Sequence, residues 1–162
     1  METTLSLNDI IENNLESFKD SRGEIFTTYK DEFRGLHFNH DKICFRHKDV
    51  LVGIHGDFET HKLITCLYGE VFIALVDNRP QSKDFLKCKT FIINGQDKKQ
   101  LFIPPGIGNS FLVLSDTCVY NYKLAYDGEY NDVDKQFTLK WNDPKYNIPW
   151  PIKNPILSDR DK

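Results

Sequence analysis

Past residue 20 no helical periodicity is left in this chain. Short β-branched and aromatic runs follow one another instead, EIFTTY, KICF, VLVGIH, HKLITCLY, EVFIALVD, KTFII, QLFIPP, SFLVL and CVYNYKLAY, each closed by turn residues. Runs of four to eight residues with such frequent punctuation exclude a helical bundle and predict an antiparallel β-sandwich or small barrel. Tyr68-Gly69-Glu70 and Asn94-Gly95 read as hairpin turns, and Pro104-Pro105-Gly106 cannot lie inside a central strand. Ahead of the runs, Leu7, Ile10, Ile11, Leu15 and Phe18 are spaced for a short amphipathic helix or a loosely packed arm over 1–20. From Trp141 to Lys162 the prolines 144, 149, 151 and 155 forbid regular structure. Trp141, Ile148, Trp150, Ile152 and Ile156 give this stretch the anchors of a strap wrapped over the barrel.

Length and charge narrow the function. At 162 residues with 21 aromatics, the chain suits one domain, 1–162, whose interior admits one small ligand at the barrel mouth. It contains no G-x-G-x-x-G and no G-x-x-x-x-G-K-[ST], so redox and phosphoryl-transfer chemistry are not expected. The formal net charge of -3 offers no global positive field for nucleic acid. With an acidic N-terminus and no apolar stretch of about 20 residues, the chain is expected to be soluble and cytoplasmic, with no membrane partner. Cys44, Cys66, Cys88 and Cys118 form no CxxC pair and read as free structural thiols.

Four histidines, His40, His47, His55 and His61, fall close together, yet without an H-x-H their spacing argues against a metal. His55 stands apart. It ends the apolar strand VLVGIH between Gly53 and Gly56, where small neighbours allow a ligand or another backbone to approach. A solvated strand-end imidazole is the plainer alternative. Lys62 either snorkels outward, the commoner fate, or serves as a fixed cation in a pocket. Tyr120 and Tyr122 share a parity and face one side of a strand, either as aromatic wall or, with a hydroxyl in a pocket, as a proton donor. A His base, a Lys and a Tyr acid together would suit proton removal beside a carbonyl.

From about Asp20 to Lys162 the motifs DSRGEIF, VLVGIH, HKLITCLYGEV, VDNRPQS, LFIPPGIGNSFLVLS, WNDP, IPWP and ILSDRD, in this order, resemble the dTDP-4-dehydrorhamnose 3,5-epimerase family of cupin-fold carbohydrate epimerases. The variants GIHGD, GNS and YKLAYDGEY look most like the branch acting on GDP-4-keto-6-deoxy-heptoses in capsular polysaccharide biosynthesis. The resemblance implies an all-β cupin (jelly-roll) barrel, no metal and no organic cofactor. It implies a nucleotide-sugar substrate whose 4-keto group acidifies C3 and C5, and inversion at C3, or at C3 and C5, through an enolate. It casts His55 as the base, Asp161 as the residue that orients it, Lys62 beside the enolate oxygen and Tyr122 as the acid on the opposite face. Arg22, Glu24, Asp57 and Asn109 become substrate-binding positions, and Arg22, which in the family commonly reaches a neighbouring subunit, implies a homodimer.

Two positions depart from the family. Val52 stands where it usually has an arginine ahead of the G-[LI]-H motif, and Asn109 where the dTDP-hexose enzymes carry a histidine. An amide hydrogen-bonds a hydroxyl but is no acid near neutral pH, a change that fits the heptose branch. The alternatives are a weakly active or non-catalytic sugar-nucleotide-binding cupin, a dTDP-4-keto-6-deoxyhexose 3- or 3,5-epimerase, and a metal-dependent cupin oxygenase or isomerase.

Overall fold

The computed structural model describes residues 4–162. Twelve strands form in chain order: β1 (Ile11–Asn14), β2 (Ser17–Asp20), β3 (Gly23–Phe26), β4 (His40–His47), β5 (Leu51–Gly56), β6 (His61–Tyr68), β7 (Glu70–Asp77), β8 (Cys88–Asn94), β9 (Lys99–Ile103), β10 (Ile107–Val113), β11 (Thr117–Ala125) and β12 (Phe137–Leu139). Two five-stranded sheets result, ordered β1-β9-β6-β11-β4 and β12-β5-β10-β7-β8, with β2 and β3 as a separate hairpin. All their strand pairings are antiparallel. This is the all-β jelly roll expected of a cupin.

Strand alternation sorts the side chains into layers. Ile64, Leu101, Ile103 and Tyr120 of the first sheet meet Val71, Ile73, Leu75 and Phe111 of the second in one core between the sheets. The opposite faces are covered as well. Leu63, Phe102 and Ala125 pack under Tyr29, Phe33, Leu36 and Phe38, while Leu51, Phe72 and Leu112 pack under the C-terminal strap through Trp141, Ile148, Trp150 and Ile152.

Four expectations are corrected here. Of the two forms expected for the N-terminal segment, the amphipathic helix does not form: a capping box at Ser6 and Asp9 closes a single 3-10 turn over Leu7–Asp9. Ile11–Asn14 then pairs with β9, a free sheet edge that outcompetes a helix with few apolar contacts of its own. Phe18, assigned to the buried stripe, is 73% exposed on the hairpin. The turns at Gly69 and Gly95 exist but make no hairpins, because each carries the chain from one sheet to the other. Ile156 holds the strap by backbone and not by side chain. It is 58% exposed, while its carbonyl accepts from Leu51 N–H at 3.0 Å and its N–H donates to Asp49 O at 2.8 Å. Among the described residues no helix is long and apolar enough to cross a membrane.

Candidate active site

The local geometry of β5 decides where the histidine points. Against β10, His55 sits opposite Asn109 and Val52 opposite Phe111, so three steps on β5 match two on β10. One residue is extra, a β-bulge at Gly53 and Ile54. Strict alternation would send Val52 and His55 to opposite faces. The bulge turns both toward the space between the sheets, where they line the same cavity.

The bulge also frees a backbone donor. Gly53 N–H donates to Asp161 Oδ2 at 3.1 Å, Ser158 Oγ–H donates to the same oxygen at 2.9 Å, and Asp161 Oδ1 meets His55 Nε2 at 2.6 Å. Asp161 lies in a final 3-10 turn, Asp159–Asp161, and its side chain is only 4% exposed. Three contacts hold it there in spite of its place next to Lys162. The glycine is required. A Cβ built on Gly53 would overlap the Asp161 carboxylate, and one on Gly56 would press into the Phe137 ring. The close approaches expected around His55 are therefore made by a carboxylate and an aromatic ring of the chain itself.

Four of the expected site residues open onto one cavity of about 250 Å³, namely His55, Lys62, Asn109 and Tyr122. Lys62, on β6, does not snorkel outward as the commoner fate would have it. It is 8% exposed, because its parity with Ile64 faces it inward, and burial pushes its ammonium down to about 8, opposed by the nearby Asp57 carboxylate. Burial likewise pushes the His55 imidazole below its ordinary value, while Asp161 pulls it back up. Tyr120 and Tyr122 do share a face, with different outcomes. Tyr120 is fully buried, stacked on Phe111 with centroids 4.2 Å apart, whereas Tyr122 reaches the cavity wall. Burial raises the Tyr122 phenol well above its usual range, so it stays protonated. Asn109 is buried with its Oδ1 unpartnered among the described residues, one of the few buried acceptors that lack a hydrogen bond.

Arg22, Glu24 and Asp57 do not line this cavity. Arg22 sits at the β2–β3 turn and pairs with Asp20 at 2.5 Å, and Glu24 on the same hairpin pairs with Lys98 at 3.1 Å. Asp57 is turned to a structural task, its Oδ1 accepting from the N–H groups of Glu59 and Thr60 at 2.8 and 2.7 Å. The other histidines disperse: His40 bonds the Tyr126 hydroxyl at 2.9 Å, His61 stacks on Phe102, and His47 ends β4 in solvent. Among the described residues no three His, Cys, Asp or Glu side chains are grouped to hold a metal ion. The four cysteines are free, Cys66 and Cys118 buried and Cys44 and Cys88 half-buried. Sequence reasoning overlooked the cavity wall supplied by Lys42, Cys44 and Arg46 of β4, and by Tyr130, Gln136 and Arg160.

The inner face of this jelly roll gathers a carboxylate-backed imidazole, a buried ammonium and a protonated phenol, the residue types that proton transfer at carbon uses, and comparison with known proteins places the chain among the cupin-type carbohydrate epimerases. Residues 4–162 match the family model described as dTDP-4-dehydrorhamnose 3,5-epimerase. A relative of that name from Shigella flexneri is 37% identical over 150 residues, 91% of this chain and 78% of the relative. The Legionella pneumophila dTDP-6-deoxy-D-glucose-3,5-epimerase, solved in complex with dTDP-4-keto-L-rhamnose, superposes with a TM-score of 0.88 at 27% identity, covering 98% of this chain and 87% of that one. A 3'-monoepimerase from Streptomyces bikiniensis, in complex with dTDP-quinovose, gives 0.86 at 25% identity over 98% and 83%. The chain belongs to the dTDP-4-dehydrorhamnose 3,5-epimerase family and is a nucleotide-sugar epimerase.

Proposed function

We propose that the protein epimerises a dTDP-linked 4-keto-6-deoxy sugar at C3, or at C3 and C5, without a metal or organic cofactor. The observation that carries this is the meeting of His55, Lys62, Asn109 and Tyr122 on one cavity with Asp161 clamped behind the base. The relatives' dTDP-linked ligands favour a dTDP substrate over a GDP-heptose. Nε2 of His55 is held by Asp161, which leaves Nδ1 for the substrate. Nδ1 takes the proton from the carbon beside the ketone, and the electron pair of that C–H bond passes into the carbonyl to give an enolate. The Lys62 ammonium stabilises the developing oxyanion, and Asp161 stabilises the imidazolium. Tyr122 O–H then delivers a proton to the opposite face, which closes the carbonyl again with the configuration inverted.

GDP-4-keto-6-deoxy-heptose is the second reading, favoured by Asn109 and Val52 at the two positions that depart from the dTDP-hexose pattern. We further assign the exposed β2–β3 hairpin, with Phe18 and Ile25 both over 70% exposed, to a second copy, so that Arg22 would act in a homodimer.

The test incubates the protein with each 4-keto sugar nucleotide in deuterated water and reads C3 and C5 by NMR. Deuterium entering from the dTDP sugar supports the main reading, and entry from the GDP-heptose alone selects the second. Absence of exchange from both sinks the catalytic reading in favour of a binding protein. Tyr122→Phe should lose more epimerisation than exchange, because proton removal survives without the acid.

A further inference from the structure

The strand opposite the base carries cations that the mechanism above leaves unused. On β4, Lys42 lies across from Tyr122 and Cys44 across from Tyr120 in the ladder with β11. Paired residues of a ladder point to the same face. Lys42, Cys44 and Arg46 therefore turn toward the side of the sheet that carries Tyr122 and line the cavity, while Phe45, 68% exposed, points away from it. Lys42 and Arg46 remain exposed, so their charges stand at the mouth of the cavity and keep contact with water.

These cations have no carboxylate to answer to among the described residues. Ion pairs engage Lys19, Arg22, Arg79, Lys87, Lys98, Lys99, Lys123, Lys135, Lys145 and Lys162, but none engages Lys42, Arg46 or Arg160. Lys42 Nζ lies 5.0 Å from the centroid of the Tyr130 ring, Arg46 donates only to the Phe45 carbonyl at 2.9 Å, and Arg160 donates to Thr138 Oγ1 and Gln136 Oε1. Among the described residues Asp132 is the one carboxylate in the cavity wall. A chain with a net charge of -3 has thus gathered positive charge without ion-pair partners at a single opening.

Position matters as much as sign. Only residues 48–50 join β4 to β5, which keeps Arg46 level with the start of β5, and both Arg46 and Val52 line the cavity. An arginine at position 52 would add a second guanidinium to the cavity that Arg46 already lines. We propose that Arg46, seconded by Lys42, is the diphosphate anchor of this epimerase, supplied from β4 in place of a cation at Val52. The inference rests on the nucleotide-sugar reading. A planar guanidinium meets phosphate oxygens with two parallel N–H donors, whereas the Lys42 ammonium acts as a point charge beside them. Both are positioning residues that touch no reacting carbon.

The test is calorimetric titration of wild-type protein, Arg46→Gln and Lys42→Gln with dTDP, GDP, thymidine and inorganic pyrophosphate at two salt concentrations. Arg46→Gln is expected to weaken dTDP at least tenfold, to leave thymidine unchanged and to flatten the salt dependence of Kd; Lys42→Gln does the same to a smaller degree. In turnover, Arg46→Gln should raise KM with kcat kept, and Val52→Arg added to it should recover the affinity. Equal dTDP affinity in Arg46→Gln and wild type, or an equal loss for thymidine, overturns the proposal. Wild-type protein that binds pyrophosphate through Arg46 but neither dTDP nor GDP upholds the anion site and brings down the nucleotide-sugar reading instead.

Discussion

Replacing Asp161 by asparagine should harm the protein more than replacing it by alanine, although asparagine is nearly the same shape. The two donors on Oδ2 explain why. Gly53 N–H is a fixed backbone donor and demands an oxygen at 3.1 Å, so an asparagine must put its carbonyl there and turn its NH2 group to His55 Nε2. Nε2 would then accept, and the ring's one proton would move to Nδ1, the nitrogen proposed as the base. Asp161→Ala removes the charge and the acceptor of all three contacts, but it puts no donor against Nε2 and so does not impose the wrong tautomer. Unit charges about 4 Å apart at an effective dielectric near 20 attract by about 4 kcal/mol. Losing that support for the imidazolium slows proton removal by about a thousandfold. Asp161→Asn adds the wrong tautomer and should reach about ten-thousandfold. The assay is the rate of deuterium entry under single-turnover conditions, with circular dichroism to show that both variants fold and nitrogen-15 NMR to read the tautomer of His55. An asparagine variant as fast as the alanine variant, or a His55 that keeps its proton on Nε2, refutes the reasoning.

Three further outcomes follow from the same geometry. The pH profile of kcat/KM should be a bell whose acid limb lies below pH 6.5, because His55 must be neutral to act and burial lowers its pKa. The alkaline limb should fall near pH 8, where Lys62 loses its proton, and Lys62→Arg should move that limb upward. Lys62→Met should abolish exchange yet raise stability: a lysine held at about 8 in the fold and about 10.5 when unfolded costs up to about 3 kcal/mol near neutral pH, a cost that fades as pH rises from 8 toward 10.5. Chemical denaturation of both proteins at pH 7 checks the sign. Gly53→Ala should push the Asp161 carboxylate off His55, lowering activity by about a hundredfold or more while costing about 1–3 kcal/mol of stability, as thermal unfolding beside the exchange assay would report.

The β runs were legible because each strand is short, branched and bounded by turn residues, and a single parity argument placed Tyr120 and Tyr122 on one face. What a run pairs with was not legible. Gly69 and Gly95 mark turns in either topology, and only the ladders show the chain changing sheets. The N-terminal stripe misled because Leu7, Ile10 and Ile11 fit a helical spacing while β9 offers Ile11 a free edge. His55 was singled out by its flanking glycines. The bulge that turns it inward leaves no trace in the apolar pattern beyond Gly53. Lys42 and Arg46 were invisible for a related reason, since alternating charged and apolar residues on a strand normally mean that the charges face water. Both do face water, and only their register with Tyr122 and Cys118 shows that the water they face fills the mouth of the cavity.

The pair His55 and Asp161 is separated by 106 positions in the chain, and this gives the site a history as well as a geometry. Synthesis proceeds at roughly 5–20 residues per second, so β5 leaves the ribosome about 5–20 s ahead of the aspartate that completes it. Throughout that interval the imidazole has neither its tautomer nor its counter-charge. The sheets can thus close around His55 before the residue that fixes its ring has been made.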